Sequence, residues 1–382
     1  MNIALICSDR GPCPPIKGGA IQLYIAKVVP LLATKHDVTV ISISDPQLPE
    51  IERQENVQYI RFNQETFWQD VLHLLQNTFF DILHIFNRPQ QISSIKKASP
   101  RSKVLLSLHN IIFGREWFSD QQAHDCLKHV DYITTVSQFL KTHLLSRYSF
   151  PNHLIRPLYS GVDIRDYPRR DDPLYKEQRK TVRKRWGIPK KAKVILFAGR
   201  LVANKGCHVV IDSLRKVLKK HKDTYLLVVG SKWYASEEET SYIKRLHRKS
   251  KAIKSHILFT SYVPIEEMPL YYAASDLFVC ASQWKEPLAR VHYEAMASSL
   301  PIITTQRGGN TEVIRQGING LILRDYENST ALAFLINHLF SNPRQSRKLG
   351  DNGRILAERY YHFHRVAHDL LGIYEEVMNH RV

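Results

Sequence analysis

The sequence predicts an α/β protein built from two Rossmann-like, doubly wound domains. Short apolar runs alternate with longer amphipathic stretches along the chain. The runs are apolar on both faces, as strands of a parallel sheet covered by helices are. Midway the alternation restarts after a polar, strongly basic segment. Such strand–helix alternation yields a doubly wound sheet, and 382 residues suffice for two domains of this kind.

In chain order, the first-half strands are expected at Ile3–Cys7, Val38–Ile43, Val57–Phe62, Ile82–Phe86, Val104–Leu108 and Tyr132–Val136. The second-half strands are expected at Val194–Ala198, Tyr225–Val229, Ile257–Thr260, Leu277–Cys280 and Ile302–Thr304. All are rich in Val, Ile and Leu. Helical patterns lie between them, for example at Ala20–Lys35 and His208–His221. The basic segment Tyr167–Lys193 separates the halves, with the junction near Ser160–Asp172. The expected domains are therefore residues 1–165 and 166–360. The amphipathic stretch Tyr361–Met378 is expected as a helix, about residues 361–382, that packs back on the first domain.

Composition narrows the partners. The formal charge is +18 and the pI near 9.6. This excess favours acidic partners (nucleic acid, anionic membrane surfaces, phosphorylated substrates or acidic polymers) without choosing among them. It is also compatible with a peripheral membrane contact. Nucleic acid is disfavoured, because the basic stretch Lys176–Lys193 has no interleaved stacking aromatics apart from Trp186 and matches no recognition module. Five scattered cysteines with no C-x-x-C argue against a disulfide framework or structural zinc, and for a reducing compartment. The start, MNIALICSDRGP, has the pattern of a first strand and not of a signal peptide. No apolar run approaches the roughly 20 residues of a membrane span. A cytoplasmic location is expected.

Doubly wound sheets bind ligands beyond the carboxyl ends of their strands, so the residues there are the candidate site. Gly18 and Gly19 follow the first strand and precede a helix, where the backbone can approach an anion or sugar closely. His109 follows Val104–Leu108, placed to exchange a hydrogen bond near neutral pH. After Val194–Ala198 come Gly199, Arg200, Lys205 and Gly206. Two cations beside a helix start suit a diphosphate. Val263, in the turn Tyr262–Pro264, brings backbone groups suited to a nucleobase edge. The stretch WKEPLARVHYEAMA, Trp284–Ala297, follows Leu277–Cys280. Pro287 suits the first position of a helix, which would put Glu286 at the cap and free the amides of Leu288, Ala289 and Arg290 for phosphate. Glu294, about two turns on, would lean back toward the same edge and accept hydrogen bonds from a ribose diol. Gly308 and Gly309 mark another close backbone approach to a ligand.

At these residues the chain resembles the family-4 retaining glycosyltransferases of the GT-B fold, in which two such domains face a central cleft. The resemblance spans essentially the whole chain. It is carried by the Gly-Gly loop, His109, TVS at Thr135–Ser137, SGVD at Ser160–Asp163, GRL…KG at Gly199–Gly206 and the Glu286…Glu294 spacing. More narrowly, QWKEPLARVHYEAMA with ITTQRGGNTEVI resembles the spore coat protein SA subgroup, which implies a sporulation or spore-coat role. The resemblance implies a nucleotide-sugar donor, UDP-linked, with no metal or other cofactor. It implies that Arg200 and Lys205 bind the diphosphate and that Glu294 holds the ribose. Glu286 would contact the transferred sugar beside the Leu288 and Ala289 amides, Arg290 would add to the phosphate site, and His109 would lie near the reaction centre. Many members carry Glu-Gly-Phe-Gly where this chain has Glu286-Pro287-Leu288-Ala289, so the donor sugar is left open, as is the acceptor: a glycan, a lipid or a coat protein. A coat-assembly protein that keeps the fold without catalysis is the alternative.

Overall fold

The computed structural model describes residues 1–16, 18–114, 116, 118–231 and 240–379. The chain divides into two compact units, Met1–Gly161 with Phe363–Val382, and Val162–His362. The division falls a few residues before the boundary expected at 165. The expected C-terminal helix runs Phe363–Asn379; its last three anticipated residues, 380–382, lie outside the described residues.

The first unit holds an eight-stranded sheet. Its strands are β1 (Asn2–Ile6), β2 (Asp37–Ile43), β3 (Ile51–Gln54), β4 (Val57–Phe62), β5 (Ile82–Phe86), β6 (Lys103–Leu108), β7 (Tyr132–Thr135) and β8 (Ile155–Pro157), in the spatial order β3-β4-β2-β1-β5-β6-β7-β8. Every pairing is parallel except β3 with β4. The centre is built from fully buried strands such as β5, ILHIF. The helix Ala20–Leu32 lays Ile21, Tyr24, Ile25, Val28, Val29 and Leu32 on it, and the C-terminal helix adds Phe363, Val366, Leu370, Ile373 and Tyr374 to the same core. His84 of β5 is completely buried between the Tyr374 hydroxyl, 2.8 Å from Nδ1, and the Ser107 hydroxyl, 2.6 Å from Nε2. That polar link ties the last helix to the middle of the sheet.

The second unit holds β9 (Lys193–Ala198), β10 (Thr224–Val229), β11 (Ile257–Phe259), β12 (Leu277–Cys280), β13 (Ile302–Thr305) and β14 (Gly320–Leu323), ordered β11-β10-β9-β12-β13-β14 and parallel throughout. The third, second and first strands of this unit are thus followed by its fourth, fifth and sixth. That is the dinucleotide-fold order, and its direction reverses between β9 and β12. Sheets of this order bind ligands in a crevice at such a reversal.

The basic segment contains the helix Pro173–Arg185, capped by Asp172, on which Lys176, Lys180, Lys184 and Arg185 are exposed. Arg183 turns inward and donates to the carbonyls of Ala274, Pro189, Lys190 and Ala192 as well as to Asp276 at 2.9 Å. Arg179 reaches the other oxygen of Asp276 at 2.6 Å, and Asp276 also accepts from the amide of Val194 at the start of β9. Two of the cations therefore fasten the helix to the sheet. Removing one partner of a buried, hydrogen-bonded ion pair costs about 3 kcal/mol or more. Arg183→Leu should lower the unfolding free energy of the second unit by about 3 kcal/mol in urea titrations; a wild-type midpoint would show that the clamp is dispensable.

Candidate active site

The second unit brings two of the predicted residues, Lys205 and Glu286, together at its reversal point. β9 and β12 are neighbours, so the loops that leave them run side by side. They are joined where the Gln283 amide donates to the Asn204 carbonyl at 2.8 Å. Gly206 makes this approach feasible: its φ is 74°, and a Cβ there would lie 1.9 Å from the carbonyl oxygen of Ala281. Only glycine fits at that separation. The result is that Lys205, from the first loop, stands beside Glu286, from the second.

The Lys205 ammonium lies 2.6 Å from Glu286 Oε2. The Ser282 hydroxyl donates to the same oxygen at 2.8 Å and the Trp284 indole N–H at 2.7 Å. Glu286 is only 6% exposed. Burial by itself pushes its carboxyl up, but the Lys205 charge and the hydrogen bonds from Lys205, Ser282 and Trp284 outweigh that and hold it below the usual value of 4.5. Behind it, Gly308 sits at φ 58° with space for no Cβ against the Glu286 carbonyl, and the Gly309 amide donates to that carbonyl at 2.9 Å. These two glycines make a close approach to the Glu286 backbone.

The helix that carries Glu294 differs from expectation. It runs Val291–Ala297 with Arg290 at its cap, not from Pro287, which lies in the preceding bend. Glu286 is therefore four residues upstream of the cap, and Glu294 is in the first turn instead of two turns in. The reason is visible in the turn. The Ala289 carbonyl faces Nδ1 of the fully buried His292 at 2.9 Å, and the Ala289 amide points at Asn310 Oδ1 at 3.4 Å. A carbonyl only accepts, so Nδ1 carries a proton; Nε2 lies 2.9 Å from the Thr304 hydroxyl. These contacts hold Ala289 out of the helix and occupy an amide expected to be free. Among the described residues the Leu288 amide has no hydrogen-bond partner. Glu294 is half-buried and accepts from the Tyr272 hydroxyl at 2.8 Å.

Arg200 follows β9 and is half-buried; Val263 is buried just beyond β11. Gly18, Gly19 and His109 belong to the first unit. Gly19 caps the helix Ala20–Leu32, whose Tyr24 meets the His109 ring edge-on at 5.2 Å. The His109 amide donates to the Asn87 side chain at 2.7 Å, placing it at the carboxyl ends of β5 and β6. Sequence reasoning missed Ser282, Trp284, Tyr272, His292 and Asn310. Ser282 and Trp284 lie four and two residues before Glu286, a local signal; the others arrive from distant elements. Among the described residues no cluster of three or more His, Cys, Asp or Glu could hold a metal ion, and the five cysteines are buried and unpaired.

Because the folded carboxyl of Glu286 titrates below its unfolded value, its ion pair contributes stability above about pH 4.5 and loses it as pH falls through the folded value. The stability gap between the wild type and Glu286→Gln should therefore be largest near neutrality and shrink below about pH 4.5. Denaturant titrations across pH would detect this, and a gap independent of pH would contradict the ion pair.

Comparison with known proteins identifies the family. Residues 178–356 match the family model for glycosyl transferases group 1, and residues 21–166 match the model for glycosyltransferase family 4. The chain is 40% identical to the Bacillus subtilis (strain 168) protein YtcC over 382 residues, 99% of this chain and 93% of that one. It is 40% identical to spore coat protein SA of the same organism over 376 residues, 98% of this chain and 100% of that one. Anabaena HepE, solved with UDP and with UDP-glucose, superposes with a TM-score of 0.80 at 20% identity, covering 98% of this chain and 100% of that one. The chain belongs to the family-4 glycosyltransferases and carries their GT-B fold.

Proposed function

We propose that the protein is a retaining, metal-independent glycosyltransferase that moves a hexosyl group from a UDP-sugar to an anionic acceptor in the cytoplasm, in the service of spore-coat formation. The observation that carries the reading is Glu286. It is a buried carboxylate held by Lys205, Ser282 and Trp284 at the reversal point of the second unit, with Glu294 on the following helix. Family membership supports group transfer. The UDP and UDP-glucose complexes of HepE support the choice of donor, and the name of spore coat protein SA supports the setting. The acceptor is assigned to a glycan, lipid phosphate or coat polymer on the strength of the +18 charge. Among the described residues no helix is long and apolar enough to cross a membrane, so lipid contact, where it occurs, is assigned to the basic surface.

In this reading Arg200 and Lys205 face the diphosphate, Glu294 accepts from the ribose hydroxyls, Val263 lies against the base and Glu286 accepts from a hydroxyl of the transferred sugar. Arg290 and the Leu288 amide add to the phosphate side. In the first unit, His109 and the Gly18–Gly19 loop serve the reacting sugar. The bond from the anomeric carbon to the phosphate oxygen breaks, and the acceptor oxygen bonds that carbon on the same face. The acceptor proton passes to the departing phosphate. Charge grows on the diphosphate in the transition state, and the fixed cations stabilise it there.

Glu294→Ala should weaken UDP binding about 10-fold or more by calorimetry, because two ribose hydroxyls lose their acceptor. Arg200→Ala and Lys205→Ala should slow UDP release from UDP-sugars about 100-fold. Wild-type rates in both cation variants would overturn the assignment. A protein that binds UDP but releases none from any UDP-sugar, with or without acceptor, would instead fit the coat-assembly alternative.

A further inference from the structure

We infer that Trp284 is a positioning residue that makes Glu286 read a single hydroxyl of the transferred sugar. With Ser282 and Lys205 it saturates one carboxylate oxygen and leaves the other alone facing the donor. The inference rests on the donor-sugar role proposed above for Glu286. Its ground is an asymmetry. Three donors converge on Oε2, at 2.6, 2.8 and 2.7 Å, while Oε1 has no hydrogen bond among the described residues. A carboxylate has about four lone-pair sites divided between two oxygens. Loading one oxygen fixes the plane of the group and leaves the second as an aimed, single acceptor.

The arrangement is local and stiff. The Glu286 amide donates to the Trp284 carbonyl at 2.8 Å, which folds the chain so that the indole N–H returns to the side chain two residues on. The Lys205 ammonium also lies 5.6 Å from the centre of the Trp284 ring, within range of a cation–π attraction. Trp284 thus touches both members of the pair, and through Glu286 it governs the direction in which Oε1 points. A fixed single acceptor favours the sugar whose hydroxyl stands in that direction. The epimer that presents the same hydroxyl elsewhere leaves a buried acceptor unmatched, the condition under which binding sites discriminate strongly.

The test uses the whole chain with UDP, with UDP-glucose, and with UDP-galactose and UDP-N-acetylglucosamine, each of which differs from UDP-glucose at one carbon of the sugar. Trp284→Phe keeps a ring and loses the N–H. It should bind UDP within about 2-fold of wild type and melt at a similar temperature. Its affinity for the preferred UDP-sugar should fall about 10-fold, with a narrower ratio between preferred and next-best donors. Trp284→His, which restores an N–H, should recover part of the ratio. Should Trp284→Phe unfold, Ser282→Ala removes another donor from the same oxygen and should narrow the ratio in the same direction. Unchanged donor ratios in these variants, or an equal loss for UDP and UDP-sugars, would overturn the inference while leaving the proposed function intact. Wild-type protein that binds no UDP would overturn both.

Discussion

The ion pair between Lys205 and Glu286 is the constraint around which the second unit is arranged. Taking a carboxylate and an ammonium out of water costs several kcal/mol per ion, and their mutual attraction roughly offsets that cost when hydrogen bonds complete the shell. Such a pair is a poor device for stability and a good one for holding charge in a chosen place. The surrounding structure supplies what it needs. Ser282 and Trp284 complete the shell, Gly206 admits the Lys205 loop, and Gly308 with Gly309 seats the backbone of Glu286. They follow β9, β12 and β13, which are neighbours in the sheet.

A second clamp sets the first. Asp276 immediately precedes β12 and takes Arg179, Arg183 and the amide of Val194 at the start of β9. It therefore pins the amino ends of the two strands whose carboxyl ends carry the site. The charge that makes this chain so basic is partly internal fastening.

Much of this was legible in the residues, and what was not has physical causes. The long Val-, Ile- and Leu-rich strands declare themselves because both their faces are buried. β3, IERQ, is a mostly exposed antiparallel edge, and β8 is three residues ending in Pro157; neither has the apolar run that marks a covered strand. Glu286, Lys205 and Glu294 were visible by spacing and position after strands. The start of the helix Val291–Ala297 was not, because Pro287 is a good first helical residue, while His292, Thr304 and Asn310, which hold Ala289 out of the helix, act through contacts that spacing does not encode. The burial of Arg183 was hidden for a similar reason: a run of cations looks solvated until its carbonyl partners are known.

The most direct measurement is a crystal structure with an intact UDP-sugar or an unreactive analogue. The account predicts both ribose hydroxyls on the Glu294 carboxylate, the diphosphate between Arg200 and Lys205, and one sugar hydroxyl on Glu286 Oε1 with Oε2 still bound by Ser282 and Trp284. A nucleotide seated away from these side chains, or a sugar pointing away from Glu286, would contradict it.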